Sequence, residues 1–239
     1  MSDKTKAVLF DLDGTLLPMD QDEFTKGYFK FLVKKLAPHG YEPQKLIDAV
    51  WHGTGAMVKN DGTRMNEAAF WEDFGSVLGE KALCDRYLFE EFYDKDFWQA
   101  RALCGFDPRA KEAVELLRRA GVRIVLATNP VFPETATRQR IGWAGLEYED
   151  FELVTTYENV GFCKPNPDYY RDILERCGLE AEACVMVGND VDEDMIAETL
   201  GMRVFLLTDN MLNRHGKDVS AYPRGGFFEL IEYLKKEIL

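Results

Sequence analysis

The 239-residue chain is 46% hydrophobic, enough length and apolar content for one large core or a core with a smaller inserted unit. Its net charge of -13, from 29 basic and 42 acidic residues, argues against a nucleic-acid backbone or an anionic membrane surface as partner. No apolar run approaches the roughly 18 residues of a membrane-spanning helix, and the start Met1-Ser2-Asp3 lacks the basic and apolar regions of a secretory signal, so a cytoplasmic setting is expected.

The first element is the apolar run Ala7-Val8-Leu9-Phe10, which suits a central parallel strand covered on both faces. It delivers Asp11 and Asp13 and breaks at Gly14. Two such acids point the same way from a strand and would be costly inside the core. They are therefore expected at the strand's carboxyl end, where open α/β sheets bind ligands.

After Pro18 the period becomes helical. Helices are predicted over 21–35, with Phe24, Tyr28, Phe31, Leu32 and Leu36 at three- and four-residue spacing, and from Pro43 through Leu46, Ile47, Val50 and Trp51. Two more are predicted over 66–74 and over the aromatic-rich 80–102. The stretch 53–62, with Gly55, Lys59, Asn60 and Asp61, reads as a flexible part of this region. Four helical segments without a strand predict a small bundle whose aromatics are mainly core.

From Pro108 onward helices (108–120, 133–141, 167–177, 192–200, 227–238) alternate with strands (122–129, 151–156, 184–188, 203–207). The predicted fold is α/β: a doubly wound parallel-sheet core made of 1–17 and 105–239, with an all-helical unit, 18–104, inserted after the first strand. That insertion leaves just beyond the two acids, so it is placed to act as a lid over the strand ends. The cysteines Cys84, Cys104, Cys163, Cys177 and Cys184 are odd in number and lack C-x-x-C spacing, which predicts free thiols.

Each later strand ends in a different polar group: Thr128 and Asn129, then Lys164-Pro165, then Asn189, Asp190 and Asp194. Taken singly, Thr128 reads as a helix cap, Lys164 as a solvated lysine and the later acids as helix N-terminal charges. Their joint placement after strands brings carboxylates, a hydroxyl and an ammonium to one sheet edge.

These residues resemble, in order and spacing over nearly the whole chain, the haloacid dehalogenase-like hydrolases, most of which are magnesium-dependent phosphatases. Phe10-Asp11-Leu12-Asp13-Gly14-Thr15-Leu16 is similar to the family's first motif almost letter for letter. Thr128-Asn129 resembles the second, Lys164-Pro165 the third, and Gly188 to Asp194 the acidic fourth, with the helical insertion in the position of the family's cap. The resemblance implies that Asp11 is a nucleophile forming an aspartyl-phosphate, and that Asp13 protonates the leaving oxygen and then activates water. It implies that Thr128, Asn129 and Lys164 hold the phosphoryl group, and that Asp11, Asp13 (through its carbonyl), Asp190 and Asp194 supply the Mg²⁺ site.

One departure is the fourth motif, Gly188-Asn189-Asp190-Val191-Asp192-Glu193-Asp194. If Asn189 fills the first acidic slot, Asp194 is five residues on and one metal carboxylate has become an amide. If Asp190 fills it, Asp194 follows by four. The second register is preferred here, with Asp192 and Glu193 as first-turn helix charges.

The acid at Asp13 also implies phosphoryl transfer rather than dehalogenation, since a halide leaves without a proton. The expected activity is hydrolysis of a small phosphorylated metabolite by a monomer or homodimer. A sugar-phosphate mutase, or a silent phosphometabolite-binding module, are the alternatives. In the cap, Lys26, Lys30, Lys34, Lys35 and Arg64 are basic candidates for a second substrate charge, and Trp51, His52, Trp71 and Phe97 are candidates for an apolar pocket. Solvated surface and core packing are the competing readings for the two groups.

Overall fold

The computed structural model describes residues 5–238, so the Met1-Ser2-Asp3 start lies outside the described residues. The core is a six-stranded, all-parallel sheet in the order β3-β2-β1-β4-β5-β6. Its strands are β1 (Ala7–Phe10), β2 (Arg123–Leu126), β3 (Leu153–Val154), β4 (Cys184–Gly188), β5 (Arg203–Leu207) and β6 (Arg224–Gly225). The central strand β1 is buried throughout. Because β2 lies on one side of β1 and β4 on the other, the strand order reverses at β1. That reversal opens a crevice at the strands' carboxyl ends.

Register fixes what meets there. Phe10 is level with Leu126 and with Val187. The ladder runs one step further, with the Asp11 amide donating to the Val187 carbonyl (2.9 Å) and the Ala127 amide to the Phe10 carbonyl (2.7 Å).

Alternation along the strands divides the core into two layers. Val8, Phe10, Ile124, Leu126, Val185 and Val187 face one side, and Ala7, Leu9, Val125, Cys184 and Met186 the other. The first layer is covered by α6 (Pro108–Arg119) and α9 (Phe227–Glu237), the second by α8 (Pro167–Cys177) and the 3-10 turn Met195–Leu200. The helix α7 (Glu134–Trp143) follows β2.

The inserted unit consists of α1 (Gln21–Leu36), α2 (Pro43–Val58), α3 (Asn66–Leu78), α4 (Glu80–Cys84) and α5 (Arg86–Lys95), then a 3-10 segment, Phe97–Leu103. Its outgoing and returning chains run side by side, with Met19 bridged to Cys104 and the Gly105 amide donating to the Pro18 carbonyl at 2.7 Å. Its apolar interior is continuous with the first core layer. Phe97, fully buried, stacks on Trp143 of α7 (centroids 5.3 Å apart) and meets Phe24, Tyr28 and Phe92 edge-on. A polar tie joins the same units: buried Asn66 donates from Nδ2 to the Pro130 and Phe162 carbonyls (3.3 and 3.2 Å).

Several elements differ from expectation. The helix predicted over 80–102 breaks at Asp85, whose carboxylate accepts from the Tyr41 hydroxyl (3.0 Å) and from Lys81. Residues 53–58 complete α2, and a Cβ on Gly53 would lie 2.7 Å from the Phe70 ring, so that glycine permits close α2–α3 packing. The strand over 151–156 contracts to two residues, β6 adds a strand with no apolar run, and the 192–200 helix begins only at Met195 as a 3-10 turn. All five cysteines are free thiols. Among the described residues no helix is long and apolar enough to cross a membrane.

Phe97→Ala removes the ring where cap and core aromatics interlock. It should lower stability by about 3–5 kcal/mol, read as a shift in the urea denaturation midpoint. A loss below about 1 kcal/mol would mean that the two units do not depend on this contact.

Candidate active site

The carboxyl ends of β1, β2 and β4 and the loop before α8 meet around Lys164. Its Nζ donates to Asp11 Oδ1 at 2.9 Å and to Asp194 Oδ1 at 2.6 Å, with all three side chains largely or wholly buried. Burial opposes the charge on Lys164, but the two carboxylates outweigh it and hold the ammonium well above the ordinary lysine value. Burial pushes Asp194 upward, and Lys164 pulls the other way. The second Asp194 oxygen accepts from the Asp190 amide at 2.9 Å, so this carboxylate is bonded through both oxygens.

Asn129 links two of the loops. Its Oδ1 accepts from the Lys164 amide (3.2 Å), and its Nδ2 donates to Glu193 Oε2 (3.0 Å). Glu193 is thus no solvated first-turn charge: it is held inside the site, where burial pushes its carboxyl up to about 7. Thr128, also buried, is fixed through its carbonyl, which accepts from the Thr155 hydroxyl (2.7 Å) and the Tyr169 hydroxyl (2.9 Å).

Asp13 meets a residue that the motif pattern did not suggest. Arg140, on α7, is fully buried, donates from Nη1 to Asp13 Oδ2, and lies over the Phe132 ring with its guanidinium carbon 4.4 Å from the centroid. Nothing local marks it, because an arginine seven residues beyond Pro133 reads as an exposed helix position. Its full burial is the signal, and that appears only in the fold. Burial raises the Asp13 carboxyl, Arg140 opposes the rise and the neighbouring Asp11 charge adds to it. Among the described residues no hydrogen-bond partner reaches Asp13 Oδ1.

In the fourth motif, Asn189 and Asp190 have different surroundings. Asn189 Oδ1 accepts from the Thr15 hydroxyl (3.1 Å) and its Nδ2 donates to the Asn210 carbonyl (2.7 Å). Gly14, at φ +83°, carries the chain past it, since a Cβ there would lie 2.3 Å from Asn189 Nδ2. Asp190 Oδ1 accepts from the amides of Asp192 and Glu193 (2.8 and 3.0 Å), and Oδ2 from Arg214 Nη1 (2.8 Å). Asp192 faces outward to His215 and Lys217.

Between the cap helices and these strand ends lies a cavity of about 550 Å³ bordered by Asp13, Asn129 and Glu193 on the core side. Among the described residues, the cap candidates that line it are Lys26, Trp51 and Trp71. Lys35 instead pairs with Glu91 and Asp96, Arg64 with Glu72, and His52 with Asp73, while Phe97 is core.

The chain belongs to the haloacid dehalogenase-like hydrolases, whose family profile matches residues 5–197. It is similar to a phosphoglycolate phosphatase of Vibrio parahaemolyticus, 27% identical over 217 residues that cover 90% of this chain and 88% of that one. It is also similar to a glyceraldehyde 3-phosphate phosphatase of Methanothermobacter thermautotrophicus, 25% identical over 230 residues covering 90% and 94%. In fold it matches the crystal structure of a phosphatase of this superfamily from Thermococcus onnurineus, with a TM-score of 0.59, 23% identity and coverage of 98% and 100%. The chain is thus a phosphatase-type hydrolase of this superfamily, with a strand-end aspartate beneath an inserted cap.

Lys164→Met leaves the Asp11 and Asp194 carboxylates facing each other without a cation. It should cost about 3–5 kcal/mol of stability, and Asp194→Asn in that background should recover part of the loss. Additive effects in the double-mutant cycle, measured by urea unfolding, would mean that the charges are not coupled through Lys164.

Proposed function

We propose that the substrate is a small phosphomonoester and that Asp11 is the residue phosphorylated. The observation that carries this reading is the placement of Asp11 at the end of the central strand with Lys164 on its Oδ1. The Oδ2 oxygen is assigned to attack phosphorus, in line with the departing oxygen. Lys164 disperses negative charge on the nucleophile and on the phosphoryl group that joins it. Thr128 and Asn129, at the end of the neighbouring strand, are assigned to the phosphoryl oxygens.

Asp13 is assigned both proton transfers: it donates to the leaving oxygen as the P–O bond breaks, then takes a proton from the water that attacks the aspartyl-phosphate. Burial, which raises its carboxyl, suits that role. The Arg140 pair holds the side chain against α7 in the resting enzyme, so Arg140 is a positioning residue for Asp13.

Enzymes of this superfamily generically use Mg²⁺. Among the described residues no three acidic, imidazole or thiol side chains converge as a ready cage. The available donors are nonetheless hard oxygens, as Mg²⁺ requires, and this ion commonly takes only one or two carboxylates and keeps water in its remaining positions. The residues that would hold it are Asp11, the Asp13 carbonyl and Asn189, through Oδ1. Bound there, the ion would neutralise charge between nucleophile and phosphate. Asn189 is favoured over Asp190 because Thr15 ties its oxygen to the first-motif loop, whereas both Asp190 oxygens are engaged elsewhere. Asp194 serves as the partner of Lys164 rather than as a ligand.

Asp11→Asn should keep the fold yet nearly abolish hydrolysis of acetyl phosphate with Mg²⁺, since the amide retains shape without nucleophilicity. Beryllium fluoride should form its adduct on Asp11 in the parent enzyme, and an adduct elsewhere would overturn the assignment. Asn189→Ala should raise the Mg²⁺ concentration for half-maximal activity by about 10-fold or more, and Asp190→Asn by less. The reverse order would return the first metal position to Asp190.

A further inference from the structure

The cavity over the strand ends has walls of a definite chemistry. Phe24, Phe29, Phe70 and Phe132 border it, as do Tyr28 and Tyr93, whose hydroxyls are bonded to each other at 2.8 Å. At its mouth, Trp51 and Val58 keep 53% and 44% of their surface exposed, an apolar rim on the solvent side.

Charge in the cavity is of the wrong sign for a second anion. Its two cations are already paired: Lys26 with Glu23 at 2.9 Å, and Arg214 with Asp190 at 2.8 Å and with Gln21 Oε1 at 3.0 Å. Three carboxyl groups, Asp13, Asp22 and Glu193, border the same space. A carboxylate or second phosphate on the substrate would meet these acids and aromatic faces, and would reach a cation only by competing with Glu23 for solvent-exposed Lys26 or with Asp190 for Arg214. A volume of about 550 Å³ also lies in the range of pockets that enclose a multi-ring or branched organic group.

We propose that the substrate is the phosphomonoester of an uncharged, predominantly apolar alcohol or phenol, with its hydrocarbon part among the cap aromatics and its phosphate toward Asp11. This rests on the phosphatase reading of Asp11 given above. The core motifs recognise the phosphoryl group alone, and the cavity between α1, α2, α5 and the Phe132 loop selects what is attached to it.

Turnover of 2-phenylethyl phosphate and 2-phosphoglycolate tests this, both being primary alkyl esters, with acetyl phosphate as the generic reference. Binding of two non-hydrolysable probes, 2-phenylethylphosphonate and phosphonoacetate, followed by calorimetry, tests it without turnover. The aryl compound of each pair should be favoured by about 10-fold or more, the scale of burying one aromatic ring. Trp51→Ala should cut that preference several-fold, by lowering turnover and binding of the aryl compounds more than those of the carboxylated ones. Val58→Arg, which supplies an unpaired cation at the mouth, should shift preference toward the carboxylated compounds.

Equal or stronger binding of phosphonoacetate, or a Trp51→Ala effect that falls equally on both esters, would overturn the proposal. Selective binding of the aryl phosphonate with no hydrolysis of any ester would instead sustain the cavity's chemistry and reject the phosphatase reading. Hydrolysis that favours phosphoglycolate would do the opposite.

Discussion

A single buried ammonium determines how the strand ends are arranged. Lys164 comes from a loop, Asp11 from the central strand and Asp194 from the turn after β4, and each is a charge that the interior would reject alone. Removing such a charge from water costs several kcal/mol unless a partner with good geometry replaces the solvent. The three are therefore acceptable only together, and only if the strands stop level with one another. The register of Phe10 against Leu126 and Val187 meets that requirement, and Asn129 ties the Lys164 backbone to the end of β2. The same pairing that stabilises the loops also leaves a carboxylate beside a cation at the sheet's open end.

A second buried pair, Asp13 with Arg140, extends this arrangement toward the cap. Arg140 lies over Phe132, and Phe132 packs edge-on against Phe24 and Tyr28 of α1. One chain of contacts thus runs from an acid of the first motif through a guanidinium and a ring to the first cap helix. The cap is more than a lid laid over a finished core: its interior merges with one layer of the sheet, and Asn66 bonds the carbonyls of two core loops. Aromatics facing this junction fill core on one side and form cavity wall on the other.

Much of this architecture was legible before folding was considered. The apolar run at 7–10 and the return to alternating helix and strand after Pro108 fix the class, and the polar residues that end each strand do meet at one sheet edge. The resemblance carried by residues 10–16 supplied the chemistry, and the family match over residues 5–197 agrees with it. Errors fell where side chains bond back to nearby backbone or pack at long range. Asp85 diverts its carboxylate to Tyr41 and Lys81 and ends a helix whose periodicity continued. Asp190 caps the amides of Asp192 and Glu193, so an acidic run expected to begin a helix forms a turn instead. Gly53 lies within α2, where its missing side chain admits the Phe70 ring.

The sequence alone determined periodicity, motif order and the residue types at the strand ends, because these are properties of neighbours along the chain. It could not determine which of those charges would be neutralised, and by what. Arg140 is 127 positions from Asp13, and Lys164 is 153 from Asp11 and 30 from Asp194. Pairings of that span leave no periodic trace, since each partner satisfies its local rules equally well when solvated. Only tertiary structure makes them necessary: once the sheet and cap exclude water, each of these groups must find its partner within hydrogen-bonding distance or forgo its charge.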